Sequence, residues 1–343
     1  MKHLLNTLYV TSQGAYLARE GETVVVRLEK EDRLRVPIHT LGGVVCFGQV
    51  GASPALMGLC GERGVSLSFL SENGHFLARV QGPVAGNVLL RREQYRRADD
   101  DAAAATLAKA LVAGKIINAR AVLLRAARRE AESPAGQALA TTARELAGRL
   151  RELAEATALE RVRGCEGEAA RVYFAVFDHL VRAQKDAFFF RGRSRRPPLD
   201  NLNTLLSFVY TLLAHDVASA LEGVGLDPAV GFLHRDRPGR KSLALDLMEE
   251  LRPVLADRLV LSLVNRQQVR ADGFTTTASG GVFMNDATRK TVLVAYQERK
   301  REELTHHFLG EKLELGLVPH VQALLLARHL RGDLDAYPPF VWR

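Results

Sequence analysis

Two segments of this 343-residue chain carry the side chains that phosphodiester chemistry requires. Such chemistry uses a divalent cation to neutralise developing charge and to activate water or a hydroxyl. Hard Mg²⁺ or Mn²⁺ prefers carboxylates with at most an imidazole. In GFLHRDRPGRKSLALDLMEELRP, His234 lies in a loop, Ser242 is placed to cap a helix, and Asp246 and Glu249 follow three residues apart on one face of it. Leu243, Leu247 and Leu251 make that face otherwise apolar, so a carboxylate there must be paired or metal-bound. The plainer alternative is that Asp246 or Glu249 pairs with Arg252 or Arg240. A third carboxylate, Glu166, stands in RVRGCEGEAARVYFAVF at the head of an apolar helix, where it could equally be a charge interacting with the helix dipole. Glu168, two positions on, points to another face, so at most one of the two enters an inward site. Tyr173, among Val172, Phe174 and Phe177, reads as core and not as a covalent nucleophile.

Charge points to the partner. Lys and Arg number 47 against 39 Asp and Glu, a net charge of +8 with a pI near 9.6, which favours a polyanion: nucleic acid first, an anionic membrane surface second. Two arginine-rich loops flank the candidate site, with Arg191, Arg193, Arg195 and Arg196 in one and Arg235, Arg237, Arg240 and Lys241 in the other. They are expected to contact DNA phosphates, the alternative being a solvated face. Arg91, Arg92, Arg96 and Arg97 are weaker candidates, offset by Asp99, Asp100 and Asp101. No run of 18 apolar residues is present, and the N-terminal stretch is interrupted at Asn6 and Gln13, so the chain reads as a soluble, unexported, cytoplasmic protein with no membrane partner. Cys46, Cys60 and Cys165 form no CxxC pair and fit small buried thiols in a reducing compartment.

The elements that must position these residues fall into two parts. Up to about residue 85, β-branched and aromatic runs between glycine turns predict strands, with one helix at 54–63 opened by Ser53 and Pro54 and closed near Gly64. Asn73-Gly74 between two apolar runs predicts a hairpin with a two-residue type I′ turn. From about 88 the pattern is helical, with Gly114 tolerated at a cost of about 1 kcal/mol. Pro134 and Gly136 separate two long helices, and others are expected near 160–183, 201–222, 242–256, 288–308 and 318–331. FTTTASGGVFM at 274–284 reads as a small hairpin or ordered loop. The expectation is an α+β protein with a small N-terminal β domain over 1–87 and a larger α-helical domain over 88–343 that bears the site.

RGCEGEAARVYF and GFLHRDRPGRKSLALDLMEELRP, with RGRSRRPPLDNLNTLLSFVYTLL between them, resemble the CRISPR-associated adaptation endonuclease, or integrase, family Cas1. The resemblance covers essentially the whole chain, and the ending YPPFVW is similar to the type I-C branch. It implies a metal-dependent DNA endonuclease that inserts short foreign DNA segments as spacers into a CRISPR array, using Mg²⁺ or Mn²⁺ held by Glu166, His234 and Glu249. Members often carry aspartate at the last of these positions, so Asp246 stays open as an alternative or supporting ligand. Implied partners are spacer-precursor and array DNA, a second copy of the chain joined through the β domain, and the small protein Cas2. A stand-alone structure-specific DNase and a non-catalytic DNA-binding scaffold are the competing readings.

Overall fold

The computed structural model describes residues 5–74, 76–80, 82 and 87–342. It opens with β1 (Asn6–Val10), β2 (Tyr16–Glu20), β3 (Thr23–Leu28), β4 (Glu31–Pro37), β5 (Leu41–Phe47), β6 (Gly51–Ala52), α1 (Pro54–Arg63), β7 (Ser66–Leu70) and β8 (Phe76–Val80). These strands form two four-stranded sheets, ordered β1-β5-β7-β8 and β4-β3-β2-β6. β1, β5 and β7 run parallel, which requires crossovers, and α1 supplies one of them. Ser53 caps α1 through Leu56 N–H, and Gly64 closes it at φ 66°, a left-handed conformation that glycine adopts without strain.

Strand β5 joins the two parts of the molecule. Its residues alternate between faces, so Val44 and Cys46 enter an N-terminal core with Leu17, Val24 and Leu67, while Val45 and Phe47 enter the core of the helical part. The expected division at 87/88 lies just after residues 83–86, which fall outside the described residues. The hairpin β7–β8 is present, but its turn is longer than expected. Gly74 N–H bonds Ser71 C=O, only Gly74 of the predicted pair takes positive φ, and the register shifts at Phe69/Leu70. A bulge absorbs the extra residues, so the type I′ geometry is not needed.

The helical part contains α2 (Val88–Asp99), α3 (Asp101–Arg129), α4 (Pro134–Glu155), α5 (Leu159–Ala175), α6 (Asn201–Gly223), α7 (Ser242–Met248) and α8 (Arg258–Asn265). After α8 come the small hairpin β9 (Phe274–Thr276) and β10 (Val282–Met284), then α9 (Asp286–Lys300), β11 (Glu303–Thr305), β12 (Lys312–Glu314) and α10 (Val318–Leu330). α3 packs on both α4 and α5 and forms the spine on which the site is built. α6 is long and apolar enough to cross a membrane by length and composition alone, but here Leu205, Leu206, Val209, Leu213 and Val217 are fully buried in protein core.

Three expected helices end early. The helix expected to 183 stops at Ala175 and gives way to a short 3-10 turn over Phe177–Leu180. The one expected to 308 ends at Lys300, followed by strand β11. The helix expected over 242–256 is broken after Met248, and one turn of π-helix spans Arg252–Asp257. Pro253 has no N–H to offer Glu249 C=O, which explains the change of ladder there.

Candidate active site

Three segments converge on Lys115 of α3. Glu166 comes from α5, Glu249 from the turn that ends α7, and Arg252 from the π-turn that follows. The Lys115 ammonium bonds Glu166 Oε1 and lies 2.7 Å from Glu249 Oε2, while Arg252 Nη1 is 2.6 Å from Glu249 Oε1. Glu249 is 1% exposed and Glu166 26%, so the pair is open to solvent on the Glu166 side only. Burial alone would push the Glu249 carboxyl up. Arg252, Lys115 and then His234 overcome it and hold the carboxyl well below the usual carboxylate range. Burial likewise opposes charge on Lys115, and Glu249 and Glu166 more than restore it.

His234 is aimed by Asp246. Gly231 brings the loop backbone so close to α7 that a Cβ there would sit 2.7 Å from Asp246 Oδ2. At that approach Asp246 accepts the backbone N–H groups of Phe232, Leu233 and His234 at 2.6, 2.9 and 2.9 Å. Its Oδ1 also lies 2.6 Å from His234 Nδ1. A carboxylate already accepting three N–H groups accepts a fourth hydrogen bond, donated by Nδ1–H, which leaves the lone pair of the neutral imidazole on His234 Nε2. Ser242 does not cap α7; its hydroxyl donates to Arg235 C=O, and the helix starts at Lys241 without a side-chain cap.

The plainer pairing weighed for Glu249 is therefore real, since it does pair with Arg252. Sequence reasoning missed Lys115. Its signal was a lysine within an Ala- and Leu-rich helix, three residues before the fully buried Asn118. Among the described residues no three His, Cys, Asp or Glu side chains lie close enough to hold a metal as they stand. The donor set nevertheless suits one: two carboxylates already gathered on a cation, and an imidazole near enough for its charge to lower the Glu249 carboxyl. Glu249 Oε2 also has no well-directed hydrogen-bond donor, although Lys115 is within ion-pair distance.

The two arginine-rich loops are brought together unevenly. Arg240 is held below its ordinary value by burial and then by Arg237 and Arg196, so residues of both loops share one field. Arg195, Arg196 and Arg237 are exposed there, and Arg191 is exposed over the Phe189 ring. Arg235 is exposed and paired with Glu160. Arg193 instead turns inward, bonding Asn203 and lying over Tyr210. Lys241 lies over the Phe76 ring of β8, with burial and Arg79 pushing its ammonium down to about 8. Glu168 is exposed on Arg171, and Tyr173 is buried with its hydroxyl on Asp257. Tyr173 shares a small cavity with Lys115, Tyr210 and Arg252. All three cysteines are free and buried.

The family described as "CRISPR associated protein Cas1" matches residues 8–298. The chain is 57% identical over 343 residues, the whole of both sequences, to a CRISPR-associated endonuclease Cas1 of Chlorobaculum tepidum. This protein belongs to the Cas1 family. Its fold is similar to that of a Cas1 protein from Thermotoga maritima, with TM-score 0.81, 24% identity, and 95% and 97% of the two chains covered. It is equally similar to a casposase bound to integration product, with TM-score 0.83, 21% identity, and 99% and 95% covered. Within this Cas1 chain, the segments that carry Glu166, His234 and Glu249 all lie inside the matched span.

Proposed function

We propose that Glu166, His234 and Glu249 hold a divalent cation, Mg²⁺ or Mn²⁺, and that this Cas1 protein uses it to cleave and join DNA phosphodiesters, inserting spacers into a CRISPR array. The observation that carries this reading is the meeting of Glu166 and Glu249 on one buried cation, beside an imidazole whose Nδ1 is fixed by Asp246. When bound, the metal supplies Lewis-acid stabilisation of a phosphate oxygen and a lowered pKa for the attacking hydroxyl. The protein's own part is to hold two carboxylates ionised in a poorly hydrated place and to present Nε2 of His234. Asp246 orients the imidazole and does not ligate. Arg195, Arg196, Arg237 and Arg240 place phosphates near the site and offset charge as it develops. Water is the nucleophile for cleavage, and a DNA 3′-hydroxyl is the nucleophile for joining.

The partners are spacer-precursor and array DNA, Cas2, and a second copy of the chain docked through the N-terminal β region. Residues 1–87 are read as that dimerisation unit and 88–343 as the catalytic unit. The YPPFVW ending supports the type I-C branch. The test combines the protein, its Cas2, a short duplex and a supercoiled array plasmid with Mg²⁺ or Mn²⁺. Strand-joined products are expected, and separate Glu166→Ala, His234→Ala and Glu249→Ala variants are expected to lose them while still binding DNA. Cleavage without joining would favour a stand-alone nuclease, and undiminished turnover in the three variants would overturn the site.

A further inference from the structure

A second basic feature lies along the same spine, about 15 Å from Lys115 at 1.5 Å per helical residue. Between the far end of α3, the 177–182 segment and α8 is a cleft of about 290 Å³. Arg125, Arg129, Arg182, Arg258 and Arg266 line it, and Glu130 is the single acidic residue in its wall. Glu130 stands 4.0 Å from Arg182. Among the described residues the other four arginines have no carboxylate within ion-pair distance, and a concave surface with that much unbalanced charge concentrates anions.

The arrangement is built and not a scatter of surface charge. Trp342 packs between two of the arginines, with the Arg125 and Arg258 guanidiniums 5.4 and 4.1 Å from its ring. That contact orders two long side chains before any ligand arrives, so less freedom is lost on binding. Burial pushes the Arg258 guanidinium down to about 10, and Arg299, Arg125 and Arg129 push the same way against the smaller opposing pull of Glu302, as expected where cations face one another in excess. Guanidinium forks match phosphate oxygens in pairs.

We propose that this cleft is a second phosphate-binding site that holds the backbone of a nucleic-acid strand at a distance from the catalytic cluster. The spacing favours a strand over a lone anion. Arg258 and Arg266 are eight residues apart, roughly 12 Å along a helix, a span that takes more than one phosphate group. That the strand is DNA rests on the integrase reading; the phosphate chemistry does not.

The experiment compares the natural chain with an Arg125→Ala, Arg129→Ala, Arg266→Ala variant, all three positions being exposed. Binding of a fluorescent DNA duplex is followed by anisotropy without divalent metal across a range of NaCl concentrations. Each lost phosphate contact should lower the slope of log K against log[NaCl] by about 0.9, so a fall of roughly 2 to 3 is expected. An unchanged slope would overturn the proposal. Displacement of the duplex by millimolar inorganic phosphate or pyrophosphate would assign the cleft to a small anion and overturn the strand. A Glu166→Ala control separates the two ideas: if the natural chain shows no metal-dependent turnover, the integrase reading fails while the slope comparison still decides the cleft.

Discussion

The Lys115 ammonium stands 2.7 Å from Glu249 Oε2 at a place where the carboxylate is 1% exposed, so one buried charge is answered by another borne on a different helix. Removing one member of such a pair strands the other and costs about 3–5 kcal/mol. Lys115→Met should therefore destabilise the metal-free protein by about that amount in urea unfolding. Added Mn²⁺ should recover part of the loss, because a bound cation replaces the missing charge and stabilises by mass action. A Mn²⁺ effect no larger in the variant than in the natural chain would refute the idea that ammonium and metal serve the same carboxylates.

Asp246 makes a different contribution, since its oxygens take three backbone N–H groups as well as His234 Nδ1. Asp246→Asn keeps the size but turns an N–H₂ group toward donors and removes the charge that fixes the imidazole. Metal affinity measured by calorimetry should fall by about 10- to 100-fold, the usual penalty for losing such an orienting partner. An affinity equal to that of the natural chain would show that His234 is aimed by something else.

Gly114 gives a prediction of opposite sign to the one its sequence suggests. A helical glycine replaced by alanine ordinarily gains about 1 kcal/mol. Here the added Cβ would lie 3.0 Å from Pro339 Cβ and 3.1 Å from Glu250 Cβ. Overpacking of this kind costs about 1–3 kcal/mol, so Gly114→Ala is expected to be net destabilising in thermal or urea unfolding. A stabilised variant would mean that the 337–342 segment yields easily.

Burial pushes the Asp257 carboxyl up to about 6, against the pull of the Tyr210 and Tyr173 hydroxyls and of Arg193 and Arg252. The folded chain therefore keeps this proton between pH 4 and 6, where an unfolded chain has released it. The resulting stability is full below about pH 4, declines as pH rises to 6, and changes no further above that. At about 1.4 kcal/mol per unit the swing is about 3 kcal/mol. Asp257→Asn cannot titrate, so the stability of the natural chain relative to the variant should fall by that amount from pH 4 to 7. A constant difference across that range would contradict it.

Much of this was legible in the sequence because it is local. Ser53-Pro54 and Gly64 bound α1 where their chemistry says they should, and the change to Ala- and Leu-rich spacing marks the start of the helices at Val88. Glu166, His234 and Glu249 were singled out by residue type, and their grouping came from the family pattern. What stayed hidden depends on distant partners. Nothing near Lys115 in sequence reveals that it meets carboxylates 51 and 134 residues away. Nothing near Arg193 or Lys241 tells that each turns inward onto an aromatic ring while Arg195 and Arg237 remain outside. The break after Met248 was foreseeable from Pro253, but the periodicity of the leucines argued for an unbroken helix.

The segment over 337–342 is tied to the centre of the molecule. Tyr337 OH and Phe340 N–H bond the fully buried Glu250 carboxyl group. Asn118 donates to Glu250 C=O and Phe340 C=O and accepts from Trp342 N–H. Glu250 is the neighbour of Glu249, and Asn118 is one helical turn from Lys115. During synthesis these contacts form late relative to the residues they serve, because their partners leave the ribosome some ninety residues after Glu250 and over two hundred after Asn118. Until then Glu250 and Asn118, on either side of the acidic cluster, lack their partners from the 337–342 segment, which disfavours the closed arrangement. A nascent chain that has passed Glu250 but not yet reached Trp342 would thus carry every acidic side chain of the centre without the full geometry to use them, so the nuclease is armed well after its acidic residues have been made.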